Sequence, residues 1–273
     1  MPELPEVETT KKGIQPHLDG QTIKQVTIRN PRLRLPVPLE LDDLCAGKKI
    51  KTVTRRAKYL LLHLTQGYIL IHLGMSGHLR IVPKETPPEK HDHVDMLLGN
   101  DSILRYCDPR RFGLFFYIDE NPYQHPLLAH LGPEPLSEEF NINYLSQRAK
   151  NKNLPIKSLI MNNDVVVGVG NIYATESLFL AGIHPLTAAK NVSTDSLNVL
   201  TNHIKQVLQA AIEAGGTTLK DFYSFEGKPG YFSIALKVYG RKKHPCFQCS
   251  SLIDTVVIGG RHSAFCPHCQ PLG

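Results

Sequence analysis

The chain has 273 residues, 41% of them apolar and 21% charged, with a formal charge of +6 at pH 7. That much apolar material can bury a sizeable core and divide it over two domains. No apolar run reaches the length of a membrane span and no basic-then-apolar leader precedes the first helical pattern. A membrane protein is therefore excluded and a cytoplasmic one expected.

The chain opens Met1-Pro2-Glu3-Leu4-Pro5-Glu6. Removal of Met1 would expose a proline terminus, a secondary amine that attacks electrophilic carbon such as the anomeric carbon of a sugar. A secondary amine condensed with an aldehyde carbon has no second N–H to lose, so it stays a cationic iminium and a strong electron sink. Glu3 is the nearest proton shuttle. A helix is predicted from here: Leu4, Val7 and Ile14 share a face, Pro5 fits a first turn, and acids precede Lys11 and Lys12 as the helix dipole prefers. Taken alone, the same residues also describe an ordinary helix start.

From about residue 20 to 118, short apolar runs alternate with turn signals, which predicts an antiparallel two-layer β-sandwich. Tyr59 to Leu64 and Tyr68 to Leu73 form one hairpin at Gln66-Gly67, and His93 to Leu98 and Ser102 to Asp108 another at Gly99-Asn100. Thr22 to Arg29, Lys51 to Arg55, His78 to Val82 and Phe112 to Ile118 supply further strands. Lys58 follows Arg55-Arg56 and opens an apolar run, an unusual place for a charge unless it faces a site. His72 to Gly77 would present Met75 on a Gly-rich tip, and Asp108 to Gly113 would present Arg110 and Phe112. An apolar tip, an arginine and an aromatic suit the wedge with which a base-flipping enzyme fills the gap in the stack. Lys90-His91-Asp92-His93 spreads over both faces of a strand, so His91 suits a phosphate better than a metal.

Pro122, Pro126, Pro133 and Pro135 mark the inter-domain connection. Helices are predicted at Ile172 to Ala181 and at Ser196 to Ala214, the latter with Asp195 as cap and Gly215-Gly216 as stop. Gly168-Val169-Gly170-Asn171 precedes the first of these, where backbone N–H groups could cradle a phosphate and Asn171 could cap the helix or reach outward. Lys150, Lys152 and Lys157 lie just upstream. Near the end, Cys246-x2-Cys249 and Cys266-x2-Cys269 have the spacing of a tetrahedral zinc site whose intervening residues form a hairpin. Four of the six net positive charges fall between residues 237 and 273, and Arg261 sits between the cysteine pairs, where it can face a phosphate.

In this order these motifs resemble the bacterial formamidopyrimidine-DNA glycosylases, base-excision repair enzymes that remove 8-oxoguanine. The resemblance spans essentially the whole chain: Met-Pro-Glu-Leu-Pro-Glu-Val-Glu-Thr, Arg-Arg-Ala-Lys-Tyr-Leu through Lys58, His-Leu-Gly-Met-Ser-Gly, Glu-Lys-His-Asp-His, Asp-Pro-Arg-Arg-Phe-Gly, Gly-Val-Gly-Asn-Ile-Tyr and the four-cysteine finger. It implies an α+β fold. An N-terminal antiparallel β-sandwich with flanking helices would occupy 1–134, a helix-two-turn-helix DNA-binding domain 135–234, and a zinc finger hairpin 235–273. Residues Thr217 to Gly230 would close over the everted base.

The resemblance further implies that Pro2 is the nucleophile, that Glu3 assists sugar opening, and that Lys58 assists base loss and β-elimination. Arg261 would contact phosphate and serve δ-elimination. Met75, Arg110 and Phe112 would fill the void, with Arg110 facing the orphaned cytosine, and His91, Lys152, Lys157 and Asn171 would contact the DNA backbone. Cys246, Cys249, Cys266 and Cys269 would hold one structural zinc. The expected partner is damaged double-stranded DNA, bound by a monomer associated with the nucleoid. The nearest alternative is an endonuclease VIII-type glycosylase for oxidised pyrimidines, against which Leu4 and the Met75, Arg110, Phe112 set argue. A proline-based tautomerase has no use for a zinc finger, and a non-catalytic DNA-binding protein would tolerate a retained Met1.

Overall fold

The computed structural model describes residues 2–216 and 236–272, so the expected base-capping loop, Thr217 to Gly230, lies outside the described residues. Among those described, contacts gather into two units. The first holds residues up to Ala129 with 214–216, and the second holds His130 to Glu213 with 236–272.

The first unit opens with helix α1 (Leu4–Leu18), whose Leu4, Val7, Ile14 and Leu18 are buried, as the apolar spacing requires. Eight strands follow: β1 (Ile23–Ile28), β2 (Ile50–Arg56), β3 (Tyr59–Leu64), β4 (Tyr68–His72), β5 (His78–Pro83), β6 (Asp92–Leu98), β7 (Ser102–Cys107) and β8 (Leu114–Ile118). They pair antiparallel into two four-stranded sheets, ordered β1-β6-β7-β5 and β2-β3-β4-β8. Val26, Leu79, Val94, Met96 and Leu104 of one sheet share a single core with Val53, Leu60, Leu62, Ile69, Ile71 and Phe115 of the other. Val7, Ile14 and Leu18 join that same core, so α1 is fastened to the sandwich by packing.

Two features depart from the expected elements. A short helix α2 (Leu41–Cys45) lies between β1 and β2. The strands β2 and β3 form a hairpin whose two-residue turn is Ala57-Lys58, with Ala57 at φ 53°. Cys45 and Cys107 are both buried, and burial pushes both thiols up to about 12.

The β1-β6-β7-β5 sheet carries a buried charge network. Arg105, with a side chain 1% exposed, donates Nε and Nη2 to Asp95 at 2.8 Å each, and Nη1 and Nη2 to the carbonyls of Pro87 and Thr86 at 3.0 Å each. Arg80 Nη2 donates to both carboxylate oxygens of Asp92 at 2.8 and 2.9 Å, and the Glu89 amide donates to Asp92 at 2.7 Å. Arg29 completes the network on Asp95 at 2.8 Å. Burial alone would raise the Asp95 carboxyl, but Arg105 and Arg29 hold it below the usual carboxylate range. The network thus anchors the 84–91 loop, which ends in His91, by both its carbonyls and an amide.

Helix α3 (Pro126–Ala129) closes the first unit; in the second, helices α4 (Ile142–Ala149), α5 (Ile156–Ile160), α6 (Asn171–Leu180) and α7 (Thr194–Glu213) lead to a hairpin of β9 (Asp254–Ile258) and β10 (Arg261–Phe265). On α7 the buried stripe Leu197, Leu200, Ile204, Val207, Leu208, Ala211 and Ile212 matches the sequence pattern, and Gly215 and Gly216 follow it at φ 77° and 84°. Its expected cap is corrected. The Ser193 hydroxyl accepts the Ser196 amide at 3.2 Å, and Asp195 lies inside the first turn, where its charge suits the dipole instead. Phe179 of α6 packs with Val238, Cys246, Ile253, Ala264 and Cys266, so the finger and α6 share one small core.

Arg105→Leu would leave Asp92 and Asp95 buried with one cation fewer, which costs about 3–5 kcal/mol. Urea unfolding of the variant against the parent chain, read by midpoint at unchanged slope, measures that loss.

Candidate active site and metal centre

Pro2 and Glu3 are both buried, Glu3 only 4% exposed. Glu3 is the N-cap of α1, and it forms a reciprocal capping box with Glu6, whose Oε2 accepts the Glu3 amide at 2.8 Å. Glu6 is 0% exposed, so the amide that follows Pro2 is held by a carboxylate which cannot relax into water. The beginning of the chain is thereby fixed to the first turn of a helix that is itself packed into the core.

Lys58 is half-buried in the β2–β3 turn. That turn is tied back to α1: Arg55 Nε donates to Glu8 Oε2 at 2.7 Å and Arg55 Nη1 donates to the Ala57 carbonyl at 2.8 Å. Lys11 closes on Glu8 at 2.7 Å. Burial raises the Glu8 carboxyl, but the hydrogen bonds and charges of Lys11 and Arg55 outweigh it and hold the group below its ordinary value. Ala57 is left-handed, a conformation that costs a non-glycine residue about 1 kcal/mol, and the Arg55 bond to its carbonyl offsets that strain. One ion-paired arginine therefore sets the lysine-bearing turn relative to the proline-bearing helix.

His72 joins this site, though the sequence pattern marks it only as the start of a Gly-rich turn. It pairs across β4 and β3 with Tyr59, the rings 4.9 Å apart, and its Nδ1 accepts the Gly74 amide at 3.0 Å. The remaining ring proton is then on Nε2. Burial first, then the charges of Lys58 and Arg34, push its pKa down to about 4, against an opposing pull from Asp108. His72 is a neutral donor, and both Lys58 and Arg34 lie near enough to act on it. Arg34 has no motif to mark it.

The 73–77 and 108–113 loops, which carry Met75 and then Arg110 and Phe112, meet at Asp108. Asp108 is 0% exposed. Its Oδ1 accepts Ser76 Oγ at 2.8 Å, and its Oδ2 accepts the Gly113 amide at 2.9 Å and the Tyr106 hydroxyl at 3.2 Å. Its own amide donates to the His91 carbonyl at 3.0 Å and its carbonyl lies 2.8 Å from His93 Nε2. The structure thus brings Met75, Arg110, Phe112 and His91 to one hub. Arg110 is exposed, Phe112 is 46% exposed, and the guanidinium lies 5.1 Å from the Phe112 ring centroid.

In the second unit Lys157, 1% exposed, donates Nζ to Asn171 Oδ1 and to Ser263 Oγ at 2.6 Å each. Asn171 Nδ2 donates to the His262 carbonyl at 3.2 Å. Asn171 is therefore not a cap, because Gly170 occupies that position and the amide side chain is pulled toward β10. Gly168 to Gly170 are buried, which overturns the expectation that they present an open backbone cradle. Lys152 is exposed in the turn after α4, its carbonyl accepting the Lys190 amide at 3.0 Å. Arg261 is exposed as the first residue of β10, just after the Gly259-Gly260 turn.

The sulfur atoms of Cys246, Cys249, Cys266 and Cys269 all lie within 4.8 Å of one another, Cys246 to Cys269 at 3.9 Å and Cys249 to Cys266 at 3.4 Å. Thiolates around tetrahedral zinc at ~2.3 Å are about 3.8 Å apart, so the four fit that ion. The Gln248 and Cys269 amides point at the Cys246 and Cys266 sulfurs, both at 3.4 Å, which stabilises thiolate.

Residues 1–115 match the formamidopyrimidine-DNA glycosylase N-terminal domain, 131–223 the formamidopyrimidine-DNA glycosylase H2TH domain, and 243–272 the zinc finger found in FPG and IleRS. Together they define a DNA-repair glycosylase with a zinc finger. A Legionella pneumophila protein (strain Philadelphia 1) named formamidopyrimidine-DNA glycosylase is 68% identical over 272 residues, covering 100% of this chain and 99% of its own. The chain belongs to the formamidopyrimidine-DNA glycosylase family and is an enzyme, a DNA glycosylase of a family that also has AP lyase activity. Among solved structures, the MutM (Fpg) protein from Thermus thermophilus superposes with TM-score 0.89 at 37% identity, covering 100% of both chains. A variant of the Lactococcus lactis Fpg, solved with a Fapy-dG containing DNA, gives TM-score 0.92 at 32% identity, over 99% of this chain and 100% of that one. No helix among the described residues is long and apolar enough to cross a membrane.

Because the folded-state pKa of His72 lies below its unfolded value near 6.5, the unfolded chain binds more protons between pH 6.5 and about 4. Stability is lost as pH falls through that window. His72→Gln should remove this contribution, at most ~3 kcal/mol, and flatten the melting temperature between pH 6.5 and 4 relative to the parent.

Proposed function

We propose that the chain excises oxidised purines, 8-oxoguanine and formamidopyrimidines, from duplex DNA and then cleaves the strand at the resulting site. The observation that carries this reading is the buried Pro2-Glu3 terminus, held by Glu6 at the head of α1. After loss of Met1, the Pro2 nitrogen would attack the anomeric carbon of the damaged nucleotide. The base leaves with the bonding electrons and takes up a proton. Glu3 protonates the ring oxygen so that the sugar opens, leaving an iminium on Pro2. That cation acidifies the adjacent sugar carbon. Loss of its proton, assisted by Lys58, expels the 3′ phosphate, and a second elimination, assisted by Arg261, expels the 5′ phosphate. The product is a one-nucleotide gap.

Recognition follows the same division. Met75 and Phe112 would fill the space vacated by the flipped nucleotide, with Arg110 reading the orphaned cytosine through its forked donors. His91, Lys152 and Asn171 suit contacts to the phosphate backbone. Lys157, buried against Asn171 and Ser263, supports that set by orienting Asn171 and raising the local positive potential. One zinc ion held by Cys246, Cys249, Cys266 and Cys269 would order the hairpin that carries Arg261 and take no part in the chemistry. The reading includes a monomer acting in the cytoplasm. That the Lactococcus lactis relative was solved with a Fapy-dG containing DNA supports the substrate class.

Borohydride trapping on a duplex with 8-oxoguanine opposite cytosine, followed by peptide mapping, tests the chemistry. The expected result is an adduct on Pro2. A protein free of Met1 and loaded with zinc that gives no adduct sinks the lyase reading. Glu3→Gln should slow excision by roughly 10²–10⁴-fold with little change in DNA affinity. Chelation of zinc should open the 243–272 segment to proteolysis and weaken DNA binding, while leaving the thermal transition of the first unit in place.

A further inference from the structure

The 73–77 and 108–113 loops come from different strand connections, yet each is bonded to the other, and the Arg110 amide is shared between Ser76 Oγ at 3.1 Å and Asp108 Oδ1 at 3.3 Å. Ser76 is 3% exposed, and its hydroxyl has both roles filled across the gap between them: it donates to Asp108 Oδ1 at 2.8 Å and accepts the Arg110 amide at 3.1 Å. The backbones themselves touch. Gly74 sits at φ +63°, and a Cβ there would lie 2.5 Å from both the Gly113 nitrogen and the Phe112 carbonyl carbon. A Cβ on Gly113 would lie 1.7 Å from the Tyr106 hydroxyl and 2.5 Å from the His72 carbonyl oxygen. Arg111, between the two exposed side chains, is left-handed at φ 59° and closes its turn through its amide on the Asp108 carbonyl at 3.2 Å.

We propose that Ser76 is a positioning residue that joins the Met75 tip to the Arg110 tip as one rigid wedge, and so sets selectivity for the base opposite the lesion. The inference rests on the reading that Met75 and Phe112 fill the void while Arg110 faces the orphaned base. Ser76 is adjacent to Met75 in the chain and bonded to the amide of Arg110. A mismatched orphan base that pushes Arg110 out of place therefore drags on Ser76, and through it on Met75. Rejection of the wrong pair is then expressed as failure to fill the void and hold the lesion out of the stack. Ser76 exerts this effect without touching DNA. A serine that served only to close a turn would change stability and leave the discrimination between opposite bases where it was.

The test is single-turnover excision of 8-oxoguanine placed opposite cytosine and opposite adenine, with thermal midpoints, for the parent chain, Ser76→Ala, Ser76→Thr and Arg110→Ala. Ser76→Ala should lower the cytosine-to-adenine rate ratio about tenfold, the scale of one buried hydrogen bond lost from one competing complex. Ser76→Thr keeps the hydroxyl and should recover most of the ratio. If Ser76→Ala keeps the parent ratio within about twofold while Arg110→Ala loses it, the coupling is wrong and the wedge reading stands. If Arg110→Ala also keeps the ratio, the wedge reading fails and this inference falls with it. Should Ser76→Ala not fold, Ser76→Cys, which keeps the volume and weakens both hydrogen bonds, is read against the same outcomes.

Discussion

A chain end is the least constrained part of a fold, and here one buried carboxylate removes most of that freedom. Glu6, wholly buried, takes the amide directly after Pro2 and returns the favour of a cap to Glu3. Breaking that bond inside a dry site would be costly to the buried carboxylate, so the terminus is held. Within the first unit, the turn that carries Lys58 uses the same helix as its datum. The core fixes α1 by Val7, Ile14 and Leu18, and Glu8 then holds Arg55, which holds the turn that carries Lys58.

The arrangement repeats on the loops that follow β4 and β7. There Asp108 plays the part of Glu6, collecting a hydroxyl from each of Ser76 and Tyr106 and an amide from Gly113. In both places a buried acid that accepts neutral donors does the positioning, while the cations expected to do chemistry or to meet phosphate, buried Lys157 apart, are half-buried or exposed. The division is physically sensible, since a buried acceptor keeps geometry and an accessible cation keeps its reach.

Much of this was legible in the residues because it depends on local pattern. Strand periodicity found the sandwich to within a residue or two, and cysteine spacing found the finger. What escaped was long-range or too short to carry a period. α2 and α5 are five residues each, below the length at which helical spacing becomes visible. The β2–β3 hairpin turns on Ala57-Lys58, which contains no Gly, Pro, Asn or Asp to announce it. The pattern leaves Asn171 free to cap its helix or to reach outward, and the choice is made by partners 14 and 91 positions away, just as Ser76 meets Asp108 across 32. Such pairs have no sequence signature. His72 was hidden for a related reason: its significance comes from the cations gathered round it by the fold.

Cys45 and Cys107 bear on a different property, durability toward oxidants. Peroxide reacts with thiolate, and a thiol whose pKa has been pushed to about 12 offers almost none near neutral pH. Both are also shut away from solvent. The sandwich that carries the terminal residues has no easily oxidised thiol among its described residues. Thiol oxidation in this chain is thereby steered to the four sulfurs of the finger and away from the sandwich.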